Sequence, residues 1–213
     1  MTVLKDRSEW LHERTAGIGG SDAAAIIGLN PWKDNVQLWK EKAGITEPED
    51  ISYKPYVQYG TQAEPLLREL FKLDFPEYEV EYIENNSWYN DRFPFARASL
   101  DGWLTDKDGR KGILEIKTTN ILSSMSKEKW KDGVPDNYFC QALWYLMVTE
   151  FDFAVIKAQL KYEYVNDIRL ETRHYFMERE EVQDQIDYLM EEGKRFWDQV
   201  QLKQRPALRL PEI

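Results

Sequence analysis

The sequence contains one cysteine, Cys140, in 213 residues. A single thiol excludes a disulfide framework, and it also excludes an iron–sulfur cluster held by four cysteines of this chain. Long apolar runs are absent from the sequence as well, and residues 1–14 lack the apolar core of a secretory signal peptide. We therefore expect a cytoplasmic protein that neither crosses nor anchors in a membrane.

Positive charge is in deficit, with 28 Lys and Arg against 38 Asp and Glu and a formal net charge of −10. This excess of acid argues against broad, nonspecific attraction to nucleic-acid phosphates. It does not exclude a nuclease, because metal ions offset acidic charge at a site and basic residues can be concentrated in one channel. Internal repeats and domain linkers are absent, so the length predicts a single α/β domain over residues 1–213.

A β-hairpin is predicted between Phe95 and Thr119, because two apolar arms flank the turn-forming sequence Asp-Lys-Asp-Gly. In the second arm, the two-residue period of a strand places Glu115 and Lys117 on the same face. If the turn centres near Asp108, the numbers of residues paired across the arms sum to about 216. This register sets Asp101 opposite Glu115.

Two carboxylates in such positions would repel each other unless a cation lay between them. Mg²⁺ suits this arrangement, since it combines one or two carboxylates with waters and a phosphate. A lysine beside the ion can position an attacking water and stabilise charge on phosphorus. The hairpin therefore indicates a metal site for phosphate chemistry at Asp101, Glu115 and Lys117. The alternative is a surface hairpin that carries an unrelated Glu and Lys.

A glycine-rich segment over residues 14–22 leads into a helix that continues through Ala23. Ser21 or Asp22 is a suitable N-cap for this helix, and the free N–H groups of a helix start suit a phosphate. Arg14 could reach the same anion with two hydrogen bonds. A plain capped helix after a flexible turn is the simpler alternative, and the P-loop pattern is absent.

A helix is predicted over Tyr56 to Leu73, and its apolar stripe consists of Leu66, Leu67, Leu70 and Phe71. Glu64 lies at the edge of this stripe, where a carboxylate would be half buried. It could supply a third acid to the hairpin site. The alternative is that Glu64 is a solvated residue at the edge of the helix.

The remaining pattern predicts further helices and strands around the hairpin. A helix over Asp136–Thr149 would carry Tyr138, Gln141 and Tyr145 on one face. The other predicted helices are Ser8–Glu13, Asn35–Lys42 and Glu178–Gln204, and the predicted strands are Tyr78–Ile83, Ser87–Tyr89, Phe153–Leu160 and Asp167–Phe176.

Taken together, these residues resemble the PD-(D/E)XK nuclease superfamily, and within it the lambda exonuclease group, also called YqaJ-like viral recombinases. The resemblance extends from Trp10 to about Met177. It rests on five motifs in order, which are Arg14 and Ser21 as R-x6-S, Glu64 in a helix, Asp101 in Ser-Leu-Asp-Gly, Glu115 to Lys117 as E-I-K, and Tyr138 with Gln141 as Y-x-x-Q. The sequence departs from the family pattern at Leu100, where the name-giving motif has proline.

The resemblance implies an α/β (α+β) fold with a restriction-endonuclease-like core, in which helices flank a mixed β-sheet. It implies Mg²⁺, for which Mn²⁺ can substitute, and the implied ligands are Asp101, Glu115, the backbone carbonyl of Ile116, and Glu64 directly or through water. Lys117 would orient and activate the attacking water, and Gln141 would help to position the water or the DNA strand. Arg14 and Ser21 would bind the 5′-phosphate of the DNA end.

Members of this family degrade one strand of duplex DNA from its 5′ end, release mononucleotides and leave a 3′ overhang. They often form a trimeric ring and work beside a strand-annealing recombinase. The resemblance therefore implies an alkaline exonuclease of phage or prophage recombination that acts on double-stranded DNA ends in a bacterial host. Two alternatives stay open, namely a structure-specific endonuclease on the same core and a non-catalytic protein that binds DNA ends.

Overall fold

The computed structural model describes residues 1–6, 9, 13 and 15–210. Its strands are β1 Thr2–Val3, β2 Glu79–Glu81, β3 Asn86–Ser87, β4 Gly102–Thr105, β5 Lys111–Asn120, β6 Phe153–Tyr164 and β7 Asp167–Glu178. Five of them form one sheet in the order β2-β4-β5-β6-β7, while β1 pairs with β3. The β5–β6 pair is parallel and the other pairs in the sheet are antiparallel, so the expected mixed sheet is confirmed.

Helices cover both faces of this sheet. They are α1 Gly20–Ile26, α2 Asn35–Lys42, α3 Pro55–Asp74, α4 Ser124–Glu128, α5 Asp136–Thr149 and α6 Gln183–Gln201. On one face, α5 packs in the main core with α1 and α6. On the other face, Leu67 and Phe71 of α3 pack against Leu114, Ile116 and Val155. Since side chains alternate along β5, its odd-numbered residues face α5 and its even-numbered residues face α3.

The hairpin has the predicted register. Gly102 pairs with Leu114 and Trp103 pairs with Ile113, so the paired numbers sum to 216 as expected. The first arm is shorter than predicted, because β4 begins only at Gly102. Asp101 therefore lies just before the first paired residue, where its side chain and backbone are free to contact neighbouring elements.

The predicted apolar stripe of α3 is wrong in two of its four members. Leu67 and Phe71 are buried, but Leu66 and Leu70 are 67% and 47% exposed. The sheet contacts only one narrow stripe of the helix, and the turn of about 100° per residue carries the neighbouring leucines away from it. The flank of α3 that faces the hairpin instead buries a charged residue, Arg68.

Two predicted helices, α2 and α5, have the predicted bounds, whereas other boundaries need correction. The predicted closing helix over Glu178–Gln204 is a 3₁₀ turn over Arg179–Val182 followed by α6, because Glu178 still belongs to β7. The strands predicted over Tyr78–Ile83 and Ser87–Tyr89 shrink to β2 and β3, while β6 and β7 extend further than predicted. Most of the predicted helix over Ser8–Glu13, including Trp10, lies outside the described residues.

Membrane-crossing helices are not found in the described part of the chain, where every helix is too short or too polar to span a bilayer.

Candidate active site

The structure brings most of the sequence-predicted residues into one cleft of about 590 Å³. The residues lining it include Ser21, Glu64, Asp101, Lys117 and Gln141. Ser21 belongs to α1, Glu64 to α3, Lys117 to β5 and Gln141 to α5, while Asp101 lies directly before β4. Glu115 lies beneath this cleft and is only 1% exposed.

The Glu115 carboxylate is held by two neighbours through one of its oxygens. Oε1 accepts a hydrogen bond from Gln141 Nε2 at 2.7 Å and pairs with Lys117 Nζ at 2.6 Å. The other oxygen, Oε2, is buried and has no hydrogen-bond partner among the described residues. A buried acceptor without a partner is costly, so this oxygen has unused capacity to bind a donor or a cation.

Lys117 is fixed from three sides. Its ammonium group contacts Glu115, donates to Gln141 Oε1 at 2.9 Å and lies 4.9 Å from the centre of the Tyr138 ring. Burial opposes the charged form, but the carboxylates of Glu115 and Asp101 outweigh it and raise the pKa of Lys117. Lys117 therefore keeps its proton at neutral pH.

The polar face of α5 is built as the helical spacing predicts. Gln141 uses its carbonyl oxygen for Lys117 and its amide nitrogen for Glu115, and the same nitrogen lies 3.0 Å from the Tyr145 hydroxyl. Gln141 and Tyr145 are both buried. The amide group thereby sets the spacing between the acid and the lysine of the hairpin.

Asp101 and Glu64 are linked to each other and to β5. Asp101 Oδ2 accepts a hydrogen bond from the Ile116 N–H at 2.8 Å, so the short arm of the hairpin is tied to the long arm beyond the last backbone pair. Arg68 donates to the Asp101 carbonyl oxygen and to Glu64 Oε1. The Glu64 side chain is 29% exposed and lines the same cleft as Asp101, while its role as a third acid of the site stays a prediction.

All three acids of the site, Glu64, Asp101 and Glu115, have raised pKa values. Burial, together with repulsion from Asp101, raises the pKa of Glu115 to about 8 and that of Glu64 to about 7. Burial also raises the pKa of Asp101, although Lys117, the Ile116 N–H and Arg68 act in the opposite direction. Like charges in a poorly solvated site favour binding of protons or of another cation.

This donor set fits a divalent metal ion. A buried Glu115 oxygen without a partner and a neighbouring aspartate are the kind of oxygen donors that Mg²⁺ and Mn²⁺ prefer. Within the described residues, no group of three acidic, histidine or cysteine side chains forms a complete metal site by itself. A bound ion would need further oxygens from backbone, water or substrate, and the role of the Ile116 carbonyl stays a prediction.

The start of α1 differs from the prediction. The N-cap is Gly19, and neither Ser21 nor Asp22 occupies that position. Asp22 is the third helical residue, and its carboxylate accepts from the Gly19 N–H at 3.0 Å and pairs with Lys42. A carboxylate therefore already occupies one donor of the helix start. Ser21 lines the cleft, whereas Arg14 lies outside the described residues.

The cleft residues that sequence reasoning missed include Arg68, Tyr82 and Arg97. The spacing of four between Glu64 and Arg68 on one helix is typical of an ion pair and could have revealed the first of them. Tyr82 and Arg97 lie outside regular secondary structure, although the sequence placed both in predicted strands, so the alternation of a strand does not describe where their side chains lie.

Comparison with known sequences gives two matches. The sequence model of the YqaJ-like viral recombinase domain matches residues 9–152. The chain is also 31% identical over 206 residues to the uncharacterized protein YqaJ of Bacillus subtilis (strain 168). That alignment covers 95% of this chain but only 59% of the relative, so the chain spans about three-fifths of the relative's length.

Solved structures of exonucleases share the fold. An alkaline exonuclease, LHK-Exo from Laribacter hongkongensis, superposes with a TM-score of 0.66 at 17% identity, covering 92% of this chain and 93% of the other. A phage-related exonuclease from Haemophilus somnus 129PT gives a TM-score of 0.58 at 16% identity, covering 88% of this chain and 96% of the other. At such identities the similarity establishes the fold.

Proposed function

Because the chain belongs to the YqaJ-like viral recombinase family, we propose that it is a metal-dependent deoxyribonuclease that degrades duplex DNA from its ends. The observation that carries this proposal is the 2.6 Å contact between the side chains of buried Glu115 and Lys117, which lies at the bottom of a cleft that also contains Asp101 and Glu64. An acid with an unused oxygen and a neighbouring aspartate can hold a metal ion for phosphodiester hydrolysis, and a charged lysine can stabilise the charge that develops on the phosphate.

Mg²⁺ is the proposed cofactor, and Mn²⁺ is expected to substitute for it. Asp101, Glu115 and the backbone carbonyl of Ile116 would hold the ion, with Glu64 binding directly or through a water. A divalent ion held by these residues would activate a water and would offset negative charge on the phosphate.

Lys117 is proposed to orient the attacking water and to stabilise charge on the phosphate. Its raised pKa keeps the ammonium protonated, so it would act by donating hydrogen bonds and not by removing a proton. Gln141 would keep Lys117 and Glu115 in their relative positions, since it contacts both. Tyr138 would restrict the lysine from its other side.

We propose 5′→3′ polarity with release of mononucleotides and a 3′ overhang. Ser21, which lines the cleft, and Arg14 would bind the terminal 5′-phosphate. The contribution of the α1 start itself is smaller than the sequence suggests, because Asp22 already accepts from the Gly19 N–H. Preference for a phosphorylated end would therefore depend mainly on the two side chains.

The proposal extends to the setting in which the enzyme works. A single nuclease domain over residues 1–213 would assemble into a trimeric ring around duplex DNA. It would act beside a strand-annealing recombinase during phage or prophage recombination, in the cytoplasm of a bacterial host.

Digestion of end-labelled duplex tests the proposal. With Mg²⁺, linear DNA labelled at the 5′ end should release labelled mononucleotide first, a 5′-phosphorylated end should be digested faster than a 5′-hydroxyl end, and a chelator should stop the reaction. Glu115→Ala should abolish digestion, while Glu69→Ala, on an exposed part of α3, should not. Cutting of closed circles would instead support an endonuclease, and a gel shift without digestion would support an end-binding protein.

A further inference from the structure

A buried arginine connects two of the proposed metal ligands. Arg68 lies one helical turn after Glu64 on α3, and its side chain is only 7% exposed. Its Nε donates to the Asp101 carbonyl oxygen at 2.5 Å, and one terminal nitrogen donates to Glu64 Oε1 at 2.5 Å. The guanidinium carbon also lies 3.5 Å from the centre of the Tyr82 ring.

These contacts differ from those of an arginine that only balances charge. Two different nitrogens of one planar group contact two acids that belong to separate elements, α3 and the segment that precedes β4. One of the two contacts is made to a backbone carbonyl, which fixes the position of the Asp101 main chain and not only the charge near its side chain. A lysine has a single nitrogen on a flexible stem and does not reproduce this fork.

We propose that Arg68 is a positioning residue of the metal site, which holds Asp101 and Glu64 in the relative placement that a divalent ion needs. The role rests on the proposed function. Arg68 acts through the two acids, since its Nε and one terminal nitrogen donate hydrogen bonds to them. The Tyr82 ring lies against the guanidinium and restricts the orientation of its plane. Groups that orient metal ligands without touching the metal commonly change metal affinity roughly 10–100-fold when they are mutated.

The direction in which Mn²⁺ affinity changes on substitution of Arg68 distinguishes a positioning role from a purely electrostatic one. Arg68 is a cation beside the proposed site, so its removal lowers the repulsion on an entering divalent ion. If charge alone mattered, Arg68→Ala would bind Mn²⁺ more tightly than the wild type. If Arg68 positions the ligands, the same substitution weakens binding, and Arg68→Lys weakens it too although the charge is kept.

The experiment is calorimetric titration of the full chain with Mn²⁺ alone, without DNA, well below the melting temperature of each variant. We expect roughly 10–100-fold weaker binding for Arg68→Ala and a smaller loss in the same direction for Arg68→Lys. Unchanged or tighter binding in either variant overturns the positioning role. If neither variant folds, Tyr82→Ala takes their place, since it removes the stacking ring and keeps both donors. Unchanged Mn²⁺ affinity in that variant overturns the role as well.

A matched control and the wild type distinguish the two proposals. Arg179 also donates to backbone carbonyls, those of Leu146 and Phe151, but it lies outside the cleft. Arg179→Lys should therefore lower stability without changing Mn²⁺ affinity. If the wild type digests DNA and Arg68→Lys binds Mn²⁺ like the wild type, only the positioning role is wrong. If the wild type neither binds Mn²⁺ nor digests DNA, the nuclease proposal fails and the role of Arg68 fails with it.

Discussion

At the scale of single residues, Glu115 combines deep burial with an incomplete set of contacts. Its Oε1 contacts Gln141 and Lys117, while Oε2 has no hydrogen-bond partner in the described part of the chain. Such a group is tolerated at a functional site, where binding of a cation offsets the unfavourable free energy of burying the carboxylate. The same burial makes Glu115 the residue whose titration should be most visible in stability measurements.

Folding stability should depend on pH through Glu115. Burial and repulsion from Asp101 raise its pKa from 4.5 to about 8. The folded state then keeps a proton that the unfolded chain releases, so stability is lost as pH rises from about 4.5 to about 8. Glu115→Gln lacks this titrating group, so in the presence of a chelator its free energy of unfolding should not show the loss that Glu115 causes in the wild type. The stability of the variant relative to the wild type should therefore increase across this range, by roughly 1 kcal/mol per pH unit.

The measurement is urea unfolding at pH 5 and at pH 8.5 for both proteins. Glu69→Gln serves as the matched control, since Glu69 is exposed and pairs with Lys72 on the same helix. This control should follow the wild type at both pH values. Parallel curves for Glu115→Gln and the wild type would show that Glu115 titrates normally in the folded protein.

At the scale of elements, the start of α1 is fitted closely against α5. A Cβ atom on Gly20 would lie 2.4 Å from Cε1 of Tyr145, well inside van der Waals contact. Tyr145 in turn contacts Gln141, which holds both Glu115 and Lys117. The absence of a side chain at Gly20 therefore permits the helix packing that holds Gln141 against Glu115 and Lys117.

Gly20→Ala should destabilise the protein, although alanine is the better helix former by roughly 1 kcal/mol. The added methyl group forces the Tyr145 ring to move, and overpacking of this kind typically costs about 1–3 kcal/mol. Displacement of Gln141 should also lower the rate of DNA digestion. Thermal unfolding and initial digestion rates measure both effects.

Gly133→Ala is the control for this substitution, because a Cβ at Gly133 meets nothing within 4 Å. It should change neither stability nor rate appreciably. An unchanged or raised melting temperature for Gly20→Ala would mean that α1 and α5 pack less tightly than the structure indicates.

At the scale of the whole molecule, the net charge of −10 weakens nonspecific attraction to DNA. An acidic surface gains little from the release of counterions by phosphates, which normally supplies nonspecific affinity. Enclosure of the duplex by a ring of subunits would retain DNA without strong surface attraction. Three exposed leucines of α3, Leu66, Leu70 and Leu73, show that apolar surface remains uncovered on this chain.

From the trimeric ring that the family resemblance implies, we expect a homotrimer at micromolar concentration and digestion that continues after a trap such as heparin is added. Light scattering gives the mass, and digestion of long duplex with heparin added after initiation gives the processivity. Low salt-sensitivity of the continuing reaction should accompany both results. A monomeric mass together with processive digestion would contradict the ring.

The sequence by itself determined the local geometry of the site. The turn at residues 106–109 and the two-residue period of strands fixed the hairpin register, so the pairing of Gly102 with Leu114 followed from neighbours along the chain. The same period placed Glu115 and Lys117 on one face. The bounds of α2 and α5 were equally local, since Asp34 and Pro135 lie directly before the two helices and the apolar spacing lies within each of them.

Only the tertiary structure decided which groups are buried together. Leu67 meets the sheet while Leu66 does not, because the contact depends on how α3 lies across strands far away in the sequence. Packing of α3 against the hairpin also brings Arg68 to the Asp101 carbonyl, and packing of α5 brings Gln141 to Glu115. The raised pKa of Glu115 follows from that burial. Periodicity assigns a side chain to a face, but the desolvation and repulsion it experiences there depend on the elements that cover the face.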